Sequence, residues 1–199
     1  MAAELSRYGI PIRIIEKAPQ RTDKSKAIVL WSRTLELLDR TGSGQKFVAA
    51  GFKVTGANII AGDQQIAHVH LDEVKTPHPY ALMLPQSDTE RLLDEHLNTY
   101  GVKVERQVEL VKFTPAADKV SATLRHVDGH EETIEVAWLI GCDGAHSTVR
   151  HGLNLAFEGD TLMSDWMLAD VHLTMFGAAL LVQIARRARR DLVARSAQG

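Results

Sequence analysis

An apolar strand end, Trp138-Leu139-Ile140, runs straight into Gly141-Cys142-Asp143-Gly144 and then into a short helix near Ser147 to His151. Such a strand–turn–helix junction has two readings. Glycines let a backbone approach a ligand closely, and a helix N-terminus offers N–H groups to a phosphate. Equally, the string is a tight turn in which Asp143 caps the helix. The local pattern leaves both open.

The rest of the chain narrows the choice. Ala2 to Tyr8 reads as a helix closed by Gly9, and Ile10 to Ile15 as a short buried strand ending at Glu16. Residues 17–26 are polar and read as a loop. Trp31 to Asp39 is helical, with Leu35 and Leu38 on one face and Gly42 just past its end. A helix, a strand and a loop in this order form the tail of a βαβ unit.

Lys53 to Ile60 and Gln64 to Leu71 then read as strands of a hairpin turning at Gly62-Asp63, with Tyr80 to Leu84 a further strand. Ser87 with Glu90 predicts a capping box opening a helix to about Tyr100. Strands follow at Val102 to Glu105, Gln107 to Pro115, Val120 to Val127 and Glu131 to Ile140, with a turn at Asp128-Gly129. A long strand is expected over Thr161 to Leu173 and an arginine-rich helix over Ala178 to Ala194.

The class is therefore α/β, α+β in part. With 199 residues, 45% hydrophobic and 24% charged, the chain has the profile of a soluble globular protein, and a net charge of -2 gives no footprint for nucleic acid. No apolar run approaches the roughly 20 residues of a membrane span, and the first nine residues do not form a signal peptide. The single cysteine, Cys142, excludes an intrachain disulfide and fits a reducing cytoplasm. Oligomeric state is not legible.

An acid ending the second strand of a dinucleotide-binding βαβ unit accepts hydrogen bonds from a ribose, which suits Glu16. The same acid also reads as a solvated turn. The glycine fingerprint should lie roughly 20 residues before it, and no G-x-G-x-x-G occurs in the chain.

Four segments carry a resemblance. W-L-I-G-C-D-G-A-H-S-T-V-R (138–150) resembles the second fingerprint of flavoprotein hydroxylases of the para-hydroxybenzoate hydroxylase type. S-K-A-I-V-L-W-S-R-T-L-E-L-L (25–38) resembles their segment after the ribose acid, and L-P-Q-S-D-T-E-R-L-L-D-E-H-L (84–97) their flavin-side helix start. F-E-G-D (157–160) before a long strand also fits.

The resemblance implies an incomplete FAD-binding Rossmann-like domain with an inserted β-sheet substrate domain. The cofactor part would be 1–51 and 86–152, the sheet part 52–85 and 153–175, and 176–199 a basic helical tail outside the family. It implies Glu16 as the ribose acid, Gln86 beside the flavin, and Asp143-Gly144 serving the FAD pyrophosphate and NAD(P)H. Arg33 and Arg150 match basic residues of the family's motifs, and Lys26 stands where many relatives carry Arg. No catalytic side chain is assigned.

The implied reaction is hydroxylation of an aromatic ring, phenolic or polyketide-like, through a flavin hydroperoxide, with the cofactor carrying the hard chemistry. The family's third motif, a Gly-Asp segment, is missing along with the phosphate loop. The expectation is thus a chain truncated at both ends and inactive alone. Alternatives are a non-catalytic relative acting as a nucleotide-binding or interaction module, and an enzyme completed by another chain. Outside this scheme, His68 and His70 alternate on a strand and share a face, a metal-compatible spacing without a third ligand nearby. Ordinary surface histidines are the expected reading, and no metal site is assigned. Cys142 is expected to be a buried, inert thiol.

Overall fold

The computed structural model describes residues 1–21, 27–61 and 63–160, with Asp165–Trp166 and Arg186–Arg187. Lys26, the expected helix over 178–194 and the expected strand over 161–173 therefore fall largely or wholly outside the described residues.

Helix α1 (Ala2–Arg7) ends in a Schellman turn. Gly9 takes a φ of 71°, its N–H donates to Ser6 O, and the Ile10 N–H donates to Leu5 O. Ile10 is thereby spent on the cap, and Pro11 has no N–H to give a ladder. The expected strand from Ile10 consequently starts only at Ile14, as β1 (Ile14–Glu16).

β1 pairs in parallel with β7 (Val104–Arg106), and Glu16 lies opposite Arg106. Arg13, just before β1, donates to Glu105 of β7 at 2.7 Å and to Glu132 at 2.9 Å. It ties this pair to the neighbouring antiparallel sheet.

The core gathers around a second sheet. β2 (Val29–Leu30), β6 (Ala81–Met83) and β3 (Phe52–Val54) run in the order β2-β6-β3. Helices α2 (Ser32–Arg40), α3 (Gly44–Ala50) and α4 (Gln86–Asn98) surround it. Leu35, Phe47, Tyr80, Leu82, Leu84 and Leu92 form one buried cluster, with Leu38 packed against it. The stripe of Leu35 and Leu38 thus faces inward as the spacing predicts. Each such side chain contributes roughly 1.5–3 kcal/mol on burial.

Three details differ from expectation here. Helix α3 was not anticipated, because a short segment opening on Gly44 carries little helical signal. The strand expected over 53–60 splits: β3 joins β6, whereas β4 (Gly56–Ala61) pairs with β5 (Gln64–His70) in the predicted hairpin. At the break, Thr55 O accepts from the N–H groups of Leu71 and Asp72. Helix α4 starts at Gln86 rather than behind a Ser87 cap, with Pro85 at the N-cap and no side-chain cap bond. The Thr89 N–H donates to Pro85 O, and Glu90 accepts from the Gln86 amide instead of closing a capping box.

The third sheet is a meander, β8 (Val108–Pro115), β9 (Val120–His126) and β10 (Glu131–Val136), turning at Gly129 with φ 84°. β10 stops at Val136, opposite Val120, the first residue of β9. No described strand lies opposite residues 138–140, so the expected apolar strand end has no ladder to join, and Trp138 is 85% exposed. Helix α5 (Thr148–Gly152) follows where a short helix was expected.

Residues 1–154 make one compact unit and 155–199 another. In the second, β11 (Asp165–Trp166) pairs antiparallel with β12 (Arg186–Arg187), so these two arginines are extended where a helix was expected. No helix among the described residues is long and apolar enough to cross a membrane.

Candidate functional site

Glu16 sits at the carboxyl end of a parallel strand, the end where open α/β sheets bind ligands. Its Oε1 accepts from the Ala18 N–H at 2.8 Å, closing the turn after β1. Oε2 has no hydrogen bond among the described residues and is available to hydroxyl donors. The turn is anchored further on: Asp94 of α4 accepts from Arg21 at 3.2 Å and from Arg106 at 3.1 Å. One carboxylate on α4 therefore holds both the loop after Glu16 and the strand beside it.

Gln86 opens the same helix. Its backbone N–H donates to Ala27 O at 3.1 Å, and the Leu84 N–H donates to Ile28 O at 2.7 Å. The segment leading into Gln86 thus lies against the residue that follows Lys26. The two stretches singled out by sequence are neighbours through their backbones. The Gln86 amide donates to Glu90 at 2.8 Å. Arg33 is different: its guanidinium is 73% exposed and pairs with Glu36 on its own helix at 2.8 Å.

At Asp143-Gly144 the capping reading is realised. Asp143 Oδ1 accepts from the Ser147 hydroxyl, and Oδ2 from the Val149 N–H at 3.3 Å. The Ser147 oxygen in turn accepts from the Arg150 N–H at 3.0 Å. Two N–H groups expected to greet a phosphate are therefore occupied within the turn. Burial pushes the Asp143 carboxyl up, but the Ser147 hydroxyl and the Val149 N–H outweigh it and hold the group below its ordinary value. Gly144 has φ 76° with open space around its missing Cβ. Gly141 serves helix packing: a Cβ there would stand 2.7 Å from Val149 Cβ. The Arg150 side chain donates to Ala145 O at 2.7 Å, bracing the same turn.

Beside this turn, an open cleft of about 350 Å³ is lined by Val111, Lys112, Phe113, His146, Thr148 and His151. Sequence reasoning also missed a buried polar cluster. His78, 5% exposed, reaches Asp39 through Nε2 and the Tyr80 hydroxyl through Nδ1. Asp39 and His78 lie 39 positions apart, so no local pattern announces their pairing.

Cys142 is an exposed free thiol rather than the buried one expected, since β10 ends at Val136 and no described strand covers the stretch leading to it. No group of three or more His, Cys, Asp or Glu among the described residues is arranged to hold a metal.

Comparison with known proteins agrees with the resemblance. A family model described as "FAD binding domain" matches residues 1–188, beyond the point near Thr174 where family likeness was expected to end. The 6-methylpretetramide 4-monooxygenase of Streptomyces rimosus is 37% identical over 86% of this chain and 31% of its own length. The OxyS anhydrotetracycline hydroxylase structure, also from Streptomyces rimosus, superposes with a TM-score of 0.70 at 32% identity, covering 85% of this chain and 32% of that one. The p-nitrophenol 4-monooxygenase PnpA of Pseudomonas putida DLL-E4 shares the fold, with a TM-score of 0.77 at 23% identity over 82% of this chain and 42% of its own. The chain spans about a third of the length of the curated relatives it matches. It belongs to the FAD binding domain family.

Proposed function

We propose that this chain supplies part of the cofactor-binding domain of an FAD- and NAD(P)H-dependent monooxygenase acting on an aromatic, phenolic or polyketide-like ring. The observation that carries this reading is Glu16, an acceptor-only carboxylate at the carboxyl end of the β1–β7 parallel pair, with Oε2 available. These features fit the ribose of an adenine dinucleotide.

Bound FAD supplies the redox chemistry, with NAD(P)H giving two electrons, one atom of O₂ entering the ring and the other leaving as water. Within this reading Glu16 binds ribose hydroxyls. Gln86 presents an amide at the start of α4, next to the 27–30 segment that follows Lys26. Asp143 and Arg150 keep the Gly144 turn in shape, so its exposed backbone, rather than the α5 N-terminus, faces the cofactor. Arg33, exposed on α2, is available to a phosphate or to NAD(P)H. The β4–β5 ribbon belongs to the substrate side, and the site of action is cytoplasmic.

The test is a titration of the purified chain with FAD, followed by quenching of flavin fluorescence. Saturable binding that AMP competes away, and that weakens about tenfold in Glu16→Gln, supports the reading. Binding that ignores both AMP and the substitution overturns it. A second reading, a non-catalytic nucleotide-binding or interaction module, draws on the exposed Trp138 and Ile140. It predicts AMP and FAD binding of equal strength and no NAD(P)H oxidation when FAD and candidate phenols are added.

A further inference from the structure

Spacing alone left His68 and His70 as two histidines on one face of a strand. The structure adds what surrounds each ring. The imidazoles lie edge to face, with centroids 4.3 Å apart. His68 Nδ1 meets Asn58 Oδ1 at 2.5 Å, and Asn58 is its register partner on β4. A carboxamide oxygen only accepts, so this contact keeps the ring proton on Nδ1 and leaves the lone pair on Nε2. Asp72 Oδ1 lies 3.7 Å from His70 Nδ1, near that ring but beyond hydrogen-bond distance.

Gly56, opposite His70 in the ladder, has a part in this. His68 Nε2 leans over it, and a Cβ at position 56 would stand 3.0 Å from that nitrogen. Glycine at 56 is what leaves room for the His68 ring in this position. Every residue of Gln64–His70 is exposed, so the pair is reachable from solvent.

We infer that His68 and His70 form a two-nitrogen chelate for a divalent transition metal, with Asn58 fixing the His68 ring and leaving its Nε2 to the metal. Imidazole nitrogens favour copper, nickel and zinc over magnesium and calcium. A ligating histidine whose other ring N–H is held by an oxygen acceptor is the usual arrangement in metal sites. Two protein ligands leave the other coordination positions to water or to a chelating small molecule. The site is therefore open rather than a closed structural one. It is independent of the flavin reading.

The test uses the full chain without an affinity tag, titrated calorimetrically with Cu²⁺ and with Zn²⁺. One equivalent should bind per chain, Cu²⁺ more tightly than Zn²⁺. His68→Gln and His70→Gln should each weaken binding about tenfold or more, as should Asn58→Ala, which removes the outer partner. His130, stacked on His126 at 5.8 Å, is the control, and His130→Gln should change nothing. In the unsubstituted chain, the ring signals of His68 and His70 should be the first that substoichiometric Cu²⁺ broadens in NMR spectra. This readout does not depend on any variant folding. Unsaturable binding, binding that survives His68→Gln/His70→Gln, or broadening that begins at other histidines overturns the inference.

Discussion

The carboxylate of Asp143 receives the hydroxyl of Ser147 on one oxygen and the N–H of Val149 on the other, so the turn before α5 is capped by the residue that marks the cofactor motif. Removing it should unravel the first turn of a helix only five residues long. Asp143→Ala should cost about 1 kcal/mol in urea denaturation at neutral pH, the usual size of a lost cap, and Asp143→Asn less. Its folded-state pKa lies below the ordinary carboxylate value of 3.8. The stabilisation is therefore present above that value and is lost as pH falls through the folded pKa. Wild type and Asp143→Ala should converge in stability at strongly acidic pH. A gap that persists there would show that charge plays no part.

Gly141 should be as sensitive as Asp143 for a different reason. A methyl group at 141 would meet Val149 at 2.7 Å, so Gly141→Ala must push α5 away from the turn at 141–144. Overpacking of this kind typically costs 1–3 kcal/mol. The checks are thermal denaturation and hydrogen exchange of the Val149 and Arg150 amides. Exchange unchanged from wild type would mean the helix absorbs the methyl group without moving.

Much of this was legible in the sequence because the signals were local. Gly9 and Gly129 punctuate turns, Leu35 and Leu38 mark an inward face, and Gln64 to His70 alternates as a strand. What failed was set by distant partners. Residues 138–140 look like a strand, but β9 begins opposite Val136 and leaves them none. Ser87 and Glu90 spell a capping box, yet the Gln86 backbone is drawn to Ala27 and the helix opens two residues early, behind Pro85. At the candidate site, the acid at 16 and the glycine at 144 were visible, whereas the α5 N–H groups are occupied by Asp143 and Ser147 through a turn geometry that residue types alone do not specify. The ring partners of His68 were equally invisible, since Asn58 acquires its meaning only through the hairpin register.

The His78 cluster has no local signal and should matter for stability. With His78 5% exposed and both ring nitrogens engaged, His78→Ala leaves the Tyr80 hydroxyl buried without its partner. A loss of about 2–3 kcal/mol is expected by denaturant titration. Tyr80→Phe alone should cost about 1 kcal/mol. The double variant should lose less than the sum of the two, because each single change already breaks the same bond. Strict additivity would sever the proposed link between the two rings.

Arg13 and Glu132 offer a prediction that depends on acid. The Arg13 guanidinium first, and His126 second, hold the Glu132 carboxyl at about 2, against an ordinary 4.5. A depressed carboxyl stabilises the fold above its unfolded value, and that contribution drains away as pH falls from about 4.5 towards 2. Glu132→Gln should therefore flatten the acid limb of the stability profile in that window while changing little in 1 M salt, where exposed pairs are screened. An unchanged acid limb would mean the pair contributes nothing to joining β1, β7 and β10.

His96 should set the other end of the profile. It is 7% exposed, and its Nε2 has no partner among the described residues. Burial, with Lys46 adding to it, lowers its pKa from 6.5. Above 6.5 both folded and unfolded chains carry the ring neutral, so it costs nothing in charge. As pH falls below 6.5 the unfolded chain binds the proton first, and stability declines until pH passes the folded value. His96→Leu should abolish this decline. It should also raise stability at neutral pH, because an unpaired buried nitrogen costs about 1–3 kcal/mol. The measurement is urea denaturation of both chains across pH 7 to 5. A wild-type profile flat over that range, or a His96→Leu chain weaker than wild type at every pH, would show that the ring is satisfied by a partner such as an ordered water.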